Sequence, residues 1–270
     1  MPMMMMVLIF FCLYFVCFTA ILLFHKYMNP KFTIILFTIT NTILFIGYYI
    51  NEFHRKGTFE ILIFDQISPF MFTMLPLSFF LKDKIKDLVF KTAALLSLGM
   101  FAAMLVSPQE AYLGSHQIEA SMLYVLDTLL HLNFSLFGVY LFVSNTVKID
   151  MKSIGQAAIF LYSVITFAII CNFLFHKNFF GMGYYSNYGI YMIRIFETYW
   201  ATLVVYILGV ALVLMLGYEY ILLVKKLNFQ NSFEYSEITV KEVDEIKIEE
   251  KEIIHTINCP LQNVYSSEKK

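Results

Sequence analysis

Two residues able to exchange protons lie inside an apolar stretch of the chain, where such side chains are costly. Asp127 and His131 are four residues apart, so on a helix they share one face. An aspartate near the centre of a bilayer costs about 2.5–3.5 kcal/mol. One interpretation is that the carboxylate orients the imidazole for acid–base chemistry or ligand contact. The other is that the two residues, with nearby Asn133, only form hydrogen bonds that hold helices together. These residues alone leave both interpretations open.

The composition requires a lipid environment for most of the chain. Of the 270 residues, 59% are hydrophobic and 14% are charged, and the mean hydropathy is +0.70. Soluble domains carry about 25% charged residues. A chain this apolar cannot cover itself with polar surface, so the bilayer must be its solvent. Membrane lipids are therefore the expected partners.

Several other classes of protein are disfavoured. The net charge is −1, and no basic patch predicts a nucleic-acid partner. The cysteines show no CxxC spacing, so neither a metal site nor a disulfide framework is indicated, and no cofactor motif is present. Nine of the 20 acidic residues follow residue 230, which predicts a membrane domain over residues 1–227 and a disordered acidic tail over residues 228–270. The four cysteines are Cys12, Cys17, Cys171 and Cys259.

Hydrophobic runs predict an all-α, polytopic membrane protein with about seven transmembrane helices. Each run is close to the roughly 20 residues that a spanning helix needs. The third helix holds Pro69 and Pro76; each removes a backbone donor, and we expect the helix to bend there. The predicted helices cover residues 3–24, 32–50, 59–81, 88–106, 120–144, 154–175 and 199–224.

Lysine and arginine residues are unevenly divided between the two sets of predicted loops. Ten lie on one side and four on the other. Because basic residues concentrate in cytoplasmic loops, the N-terminus is predicted outside and the C-terminus in the cytoplasm. The predicted location is the cell membrane, with multiple passes.

In this orientation three separate helices place polar residues in the outer half of the membrane. Their shared depth predicts one polar pocket. The alternative is that outer helix ends are simply wet, although His131 lies too deep for that explanation. We take His131 and Asp127 as candidate catalytic residues and Asp65, Gln66 and Asn172 as candidate ligand-binding residues. Cys171 lies at a similar depth.

Three segments in the middle of the chain carry a resemblance to a known family. They are Phe64–Ser78, which begins Phe-Asp-Gln-Ile-Ser-Pro, the Lys82-Asp-Lys loop, and Leu95–Pro108. In this order they resemble the YwaF-type bacterial integral membrane proteins, which are related to the animal transmembrane protein 164. The Leu-Leu-His-Leu-Asn sequence around His131 is similar to the histidine-bearing helix of that family. The resemblance covers roughly residues 58–224.

The resemblance implies a helical membrane protein and suggests a lipid substrate. The animal relative is regarded as a phospholipid acyltransferase with a cysteine nucleophile and a histidine base. This chain has Phe64 where the resemblance would place the cysteine, and a phenylalanine cannot attack an ester. Cysteine–histidine catalysis needs a thiolate within hydrogen-bond reach of its base.

The sequence thus favours a YwaF-like membrane protein whose polar pocket engages a lipid or other amphiphile. One form of this hypothesis is a relative of lipid acyltransferases that lacks the family cysteine, and the sequence leaves open whether the protein is an enzyme. A membrane transporter or substrate-capture component would place the same residues around a solute or proton. A structural or regulatory membrane subunit without catalysis is the third hypothesis.

Overall fold

The computed structural model describes residues 3–56, 67–112, 118–176 and 203–227. All regular structure within these ranges is helical, which confirms the all-α prediction. Short 3-10 turns follow the first and third helices, at His25–Tyr27 and Ser78–Phe80. The helices are α1 (Met3–Phe24), α2 (Pro30–Lys56), α3 (Ile67–Leu77), α4 (Asp83–Tyr112), α5 (Ile118–Val143), α6 (Met151–Phe175) and α7 (Leu203–Leu227).

Six of these helices are long and apolar enough to cross a membrane. The exception is α3, whose apolar helical part, with its 3-10 extension, spans Ile67–Phe80. Residues 59–66 of the predicted third helix lie outside the described part of the chain. The architecture is that of a multi-pass membrane protein, as its composition requires.

The ends of α4 differ from the sequence prediction. Residues 83–87 were predicted as loop, but the helix begins at Asp83. The side chains of Asp87 and Lys91, one turn apart, form an ion pair of 2.7 Å, which supports the helix there. At the other end α4 continues to Tyr112, beyond the predicted limit at residue 106. The prediction ended the helix where apolar residues ended, whereas a helix can extend past the hydrocarbon layer.

The core of the bundle is built around α5. In the apolar span of α5, 78% of the residues are buried, against 11% for α1. α5 packs against α4, α2 and α1. A Cβ atom at Gly138 of α5 would lie 2.7 Å from the carbonyl oxygen of Ala93, so glycine lets α5 approach the backbone of α4. Small residues serve the same purpose in other membrane bundles.

The start of α6 is fixed by a capping box. The backbone N–H of Ser153 donates to the Asp150 carboxylate at 2.8 Å, and the Ser153 hydroxyl lies close to the Asp150 backbone N–H. The hydrogen bonds from Ser153 lower the pKa of the Asp150 carboxyl below its ordinary value. Capping of this kind supplies partners to backbone donors that have none inside the helix.

The chain divides into two units, Met1–Leu222 and Leu223–Lys270. The first unit contains α1 to α6 and most of α7. Of the second, the structure describes Leu223–Leu227, the last residues of α7. The acidic tail predicted over residues 228–270 lies outside the described residues.

Candidate functional site

His131 lies near the middle of α5, and its side chain is buried. It follows the start of the apolar span at Met122 by nine residues, or about 14 Å along the helix. Only 3% of its side chain is exposed. Its Nδ1 atom lies 2.9 Å from the carbonyl oxygen of Asp127. A carbonyl only accepts, so Nδ1 carries a proton, and whenever the ring is neutral Nε2 is its acceptor atom.

Asp127 and His131 are brought together as their spacing predicts. The Asp127 Oδ1 atom lies 3.5 Å from Nδ1 of His131, and 16% of the aspartate side chain is exposed. At this distance the carboxylate is a weak hydrogen-bond acceptor, and the firmer contact of the imidazole is with the backbone carbonyl. An imidazole that takes up a second proton would find its counter-charge in this carboxylate.

The ring of Phe72 on α3 packs against the imidazole ring of His131. The two ring centroids are 5.1 Å apart and the ring planes cross at 85°, the edge-to-face arrangement favoured by aromatic pairs. Phe72 also contacts Phe45 of α2 and Phe134 of α5. The imidazole therefore packs against one ring of an aromatic cluster that three helices form, with the Asp127 carboxylate one turn away.

Asn41 of α2 belongs to the same neighbourhood, although the sequence did not single it out. Its side chain is wholly buried, and its Nδ2 atom donates to the carbonyl oxygen of Phe72 at 2.8 Å. In a regular helix that carbonyl would accept from the N–H four residues later, but residue 76 is proline. Asn41 replaces the missing donor. The signal that could have identified Asn41 is an asparagine in an apolar helix that packs against a helix with an internal proline.

The Oδ1 atom of Asn41 accepts no hydrogen bond from the described residues. The amide cannot be turned around, because its nitrogen is needed by the Phe72 carbonyl. An unsatisfied buried acceptor costs about 1–3 kcal/mol. Such groups in native proteins usually meet an ordered water or a ligand.

Other polar residues of α5 join helices. Asn133 donates from Nδ2 to the carbonyl oxygen of Phe37 on α2 at 3.1 Å. Ser135 donates from Oγ to the carbonyl oxygen of Ser97 on α4 at 2.7 Å. The same hydroxyl lies 3.3 Å from the Tyr14 hydroxyl on α1. These bonds satisfy the side chains within the bundle, so they fit the role of structural glue.

Of the other candidate residues, the structure describes Asn172 and Cys171. Asp65 and Gln66 lie outside the described residues. Asn172 is buried with 1% exposure, on α6, which packs against α4. It lies three residues before the end of α6 at Phe175. Cys171 is a half-buried free thiol on α6.

This chain was compared with models of protein families, with curated proteins and with solved structures, and none of them matches. Within the described ranges, no three histidine, cysteine, aspartate or glutamate side chains are grouped closely enough to hold a metal ion. Among the residues that the structure describes, the arrangement around His131 offers the ring nitrogen Nε2 and the carboxylate of Asp127. It can accept a proton or a hydrogen bond in an otherwise apolar setting.

Proposed function

We propose that this protein is an integral membrane protein that holds a lipid or other amphiphile at a polar site centred on His131 and Asp127. The observation that carries the proposal is the buried imidazole. Its Nδ1 proton is committed to the Asp127 carbonyl at 2.9 Å, so Nε2 presents a lone pair in a fixed direction. Sites for small molecules are typically apolar, with a few polar groups that set orientation.

The surroundings of the imidazole favour an amphiphile over a fully polar solute. Phe72 packs against His131 and is itself packed against Phe134, while the Asp127 carboxylate is partly exposed one turn away. A molecule with a small polar head and a hydrocarbon chain complements both features. Lipids of this kind are abundant in the bilayer that the helices require.

The resemblance to YwaF-type proteins supports the same proposal, because that family carries a histidine at the position of His131. Acyl transfer through a cysteine is not part of the proposal. Phe64 stands where the resemblance would place the nucleophile, and Cys171 lies on α6. We propose that His131 and Asp127 bind and orient the polar head of the amphiphile.

The experiment compares the lipids that co-purify with wild type and with His131→Gln, measured by mass spectrometry. Glutamine keeps a donor and an acceptor but lacks the ring geometry and titration of histidine. We expect the variant to fold and to lose the bound amphiphile. Asp127→Asn should weaken binding less, because the backbone carbonyl that fixes Nδ1 remains.

His25→Gln is the matched control. The Nδ1 atom of His25 also bonds a carbonyl of its own chain, that of Leu22 at 3.0 Å, and the side chain is buried to a similar extent. It stands in the turn between α1 and α2, away from the proposed site in sequence and in packing. We expect His25→Gln to keep the wild-type lipid profile.

A structural subunit without a ligand is the second candidate, and one observation favours it. The neighbouring polar residues of α5, Asn133 and Ser135, both bond carbonyls of other helices. His131 would then be a packing residue satisfied by its own helix. An identical lipid profile and an unchanged melting temperature in His131→Gln would decide for this candidate.

A further inference from the structure

Two buried side chains that can accept hydrogen bonds contact Phe72 from different helices. Asn41 bonds the Phe72 carbonyl through Nδ2 at 2.8 Å, which leaves Oδ1 without a partner in the described part of the chain. His131 contacts the Phe72 ring, with centroids 5.1 Å apart, and donates through Nδ1 to its own helix. Both side chains are at least nine-tenths buried.

The packing of α2 against α5 places these residues at the same level of the bundle. Phe37 contacts Phe137 and accepts a hydrogen bond from Asn133. Further along α2, Gly47 lies against the side chain of Leu126. The two helices therefore run antiparallel: residue numbers increase along α2 in the direction in which they decrease along α5. Residue 41 of α2 accordingly lies opposite residues close to 131 of α5. The two acceptors belong to one layer.

We propose that Asn41 Oδ1 and His131 Nε2 together receive the hydroxyl-bearing head of a neutral amphiphile, such as a monoacylglycerol. The inference rests on the proposed function and specifies the chemistry of its ligand. Two acceptors need a partner that supplies O–H donors, and a head group with two hydroxyls supplies one to each. An ionised carboxylate or a phosphodiester group has no donor of its own to offer and would add negative charge near Asp127.

Asn41 also has a structural role, and the experiment must separate that role from ligand binding. Removing its amide leaves the Phe72 carbonyl without a hydrogen-bond donor. Asn41→Leu alone would therefore not distinguish a loss of folded protein from a loss of ligand affinity. Pro76→Ala restores the backbone N–H that this carbonyl lacks. In the Pro76→Ala background the amide nitrogen of Asn41 is no longer needed, and Asn41→Leu removes chiefly the Oδ1 acceptor.

The experiment uses the full chain in phosphatidylcholine nanodiscs with tritiated 1-oleoylglycerol as the probe, and binding is measured by scintillation proximity. We expect Pro76→Ala to bind within threefold of wild type. Pro76→Ala/Asn41→Leu should keep the melting temperature of Pro76→Ala and bind the probe at least tenfold more weakly. The diacetate of 1-oleoylglycerol, which has the same chain but no hydroxyl, should compete at least tenfold more weakly than the probe.

Four results would overturn the inference. They are undiminished binding by the double variant, equal competition by the diacetate, loss of the probe in Pro76→Ala alone, and no binding by wild type. Equal competition would mean that water, and not the ligand, satisfies the two acceptors. If His131→Gln abolishes binding while the double variant keeps it, the proposed function stands and only the contact with Asn41 fails.

Discussion

The side-chain amide of Asn41 donates a hydrogen bond of 2.8 Å to the carbonyl oxygen of Phe72, the group that Pro76 leaves without its helical donor. One contact thereby ties α2 to the weakest point of α3. It also fixes the residue whose ring packs edge-on against His131. The geometry around the imidazole thus depends on the hydrogen bond that α2 donates to the proline-interrupted helix α3.

Replacing Asn41 with leucine should destabilise the protein by about 1–3 kcal/mol, the cost of an unsatisfied buried polar group. The same substitution in a Pro76→Ala background should cost less, because the backbone N–H of residue 76 then serves the carbonyl. Asn51→Leu is the control, since Asn51 bonds Gly47 of its own helix. Unfolding in mixed micelles measures all four variants. Equal losses in the two backgrounds would show that Asn41 does not compensate for the proline.

The sequence predicted the helices well and their ends less well. Long apolar runs are sufficient to locate a membrane helix, because unpaired backbone groups are too costly in lipid. The ends of α4 lie beyond the apolar run, at Asp83 and Tyr112, since charged and polar residues continue a helix into the headgroup region. Hydropathy detects the hydrocarbon layer and not the end of the hydrogen-bonded helix.

The candidate site was only partly predictable. Asp127 and His131 share a helix, so their spacing alone placed them together, and the structure confirms that contact. Asn41 meets Phe72 across 31 residues of sequence, through helix packing that periodicity does not determine. The proximity of Asn172 to His131, which shared depth predicts, stays a prediction, because depth says nothing about which helices are neighbours.

Ser135→Ala should lower stability by about 0.6 kcal/mol, the average for hydrogen bonds between membrane helices. The Ser135 hydroxyl joins α5 to the carbonyl of Ser97 on α4 at 2.7 Å. Ser163→Ala is the comparison, because the exposed hydroxyl of Ser163 bonds Ile159 within its own helix. The free energies of unfolding of both variants are measured in the same micelles. A smaller loss for Ser135 than for Ser163 would contradict the role of Ser135 in joining the two helices.

Because of the N-cap of α6, the free energy of unfolding should depend on pH at acidic pH. Hydrogen bonds from Ser153 lower the pKa of Asp150 in the folded protein. The cap therefore stabilises fully above the unfolded pKa of about 3.9, and this contribution is lost as pH falls through the lower folded value. Asp150→Asn, which caps without titrating, should remove this part of the pH dependence. Thermal unfolding of both proteins between about pH 5 and pH 2 tests the expectation, and parallel curves would refute it.

The basic residues predict that the turn between α1 and α2 faces the cytoplasm. In a protein without its native cysteines, new cysteines at Tyr27 and Lys152 should react with an impermeant maleimide only after the membrane is opened. Both positions are exposed. A cysteine at His54, exposed near the opposite end of α2, should react in intact cells. The reverse pattern would place the N-terminus in the cytoplasm.

Gly217 of α7 should tolerate no side chain. A Cβ atom there would overlap the carbonyl oxygen of Leu95 on α4, and the obstacle is backbone that cannot rotate away. Gly217→Ala must therefore push α7 from α4, and overpacking of this kind costs about 1–3 kcal/mol or more.

Gly209→Ala on the same helix is the matched control, because a Cβ atom at Gly209 meets nothing within 4 Å. There the substitution should be neutral or stabilise by about 0.4–1 kcal/mol, since alanine restricts the unfolded chain. The two variants have the same chemistry and helix, so their difference isolates the close approach of α7 to Leu95. Unfolding of both proteins in mixed micelles gives that difference directly. Equal stabilities would mean that α7 does not pack against α4 through Gly217.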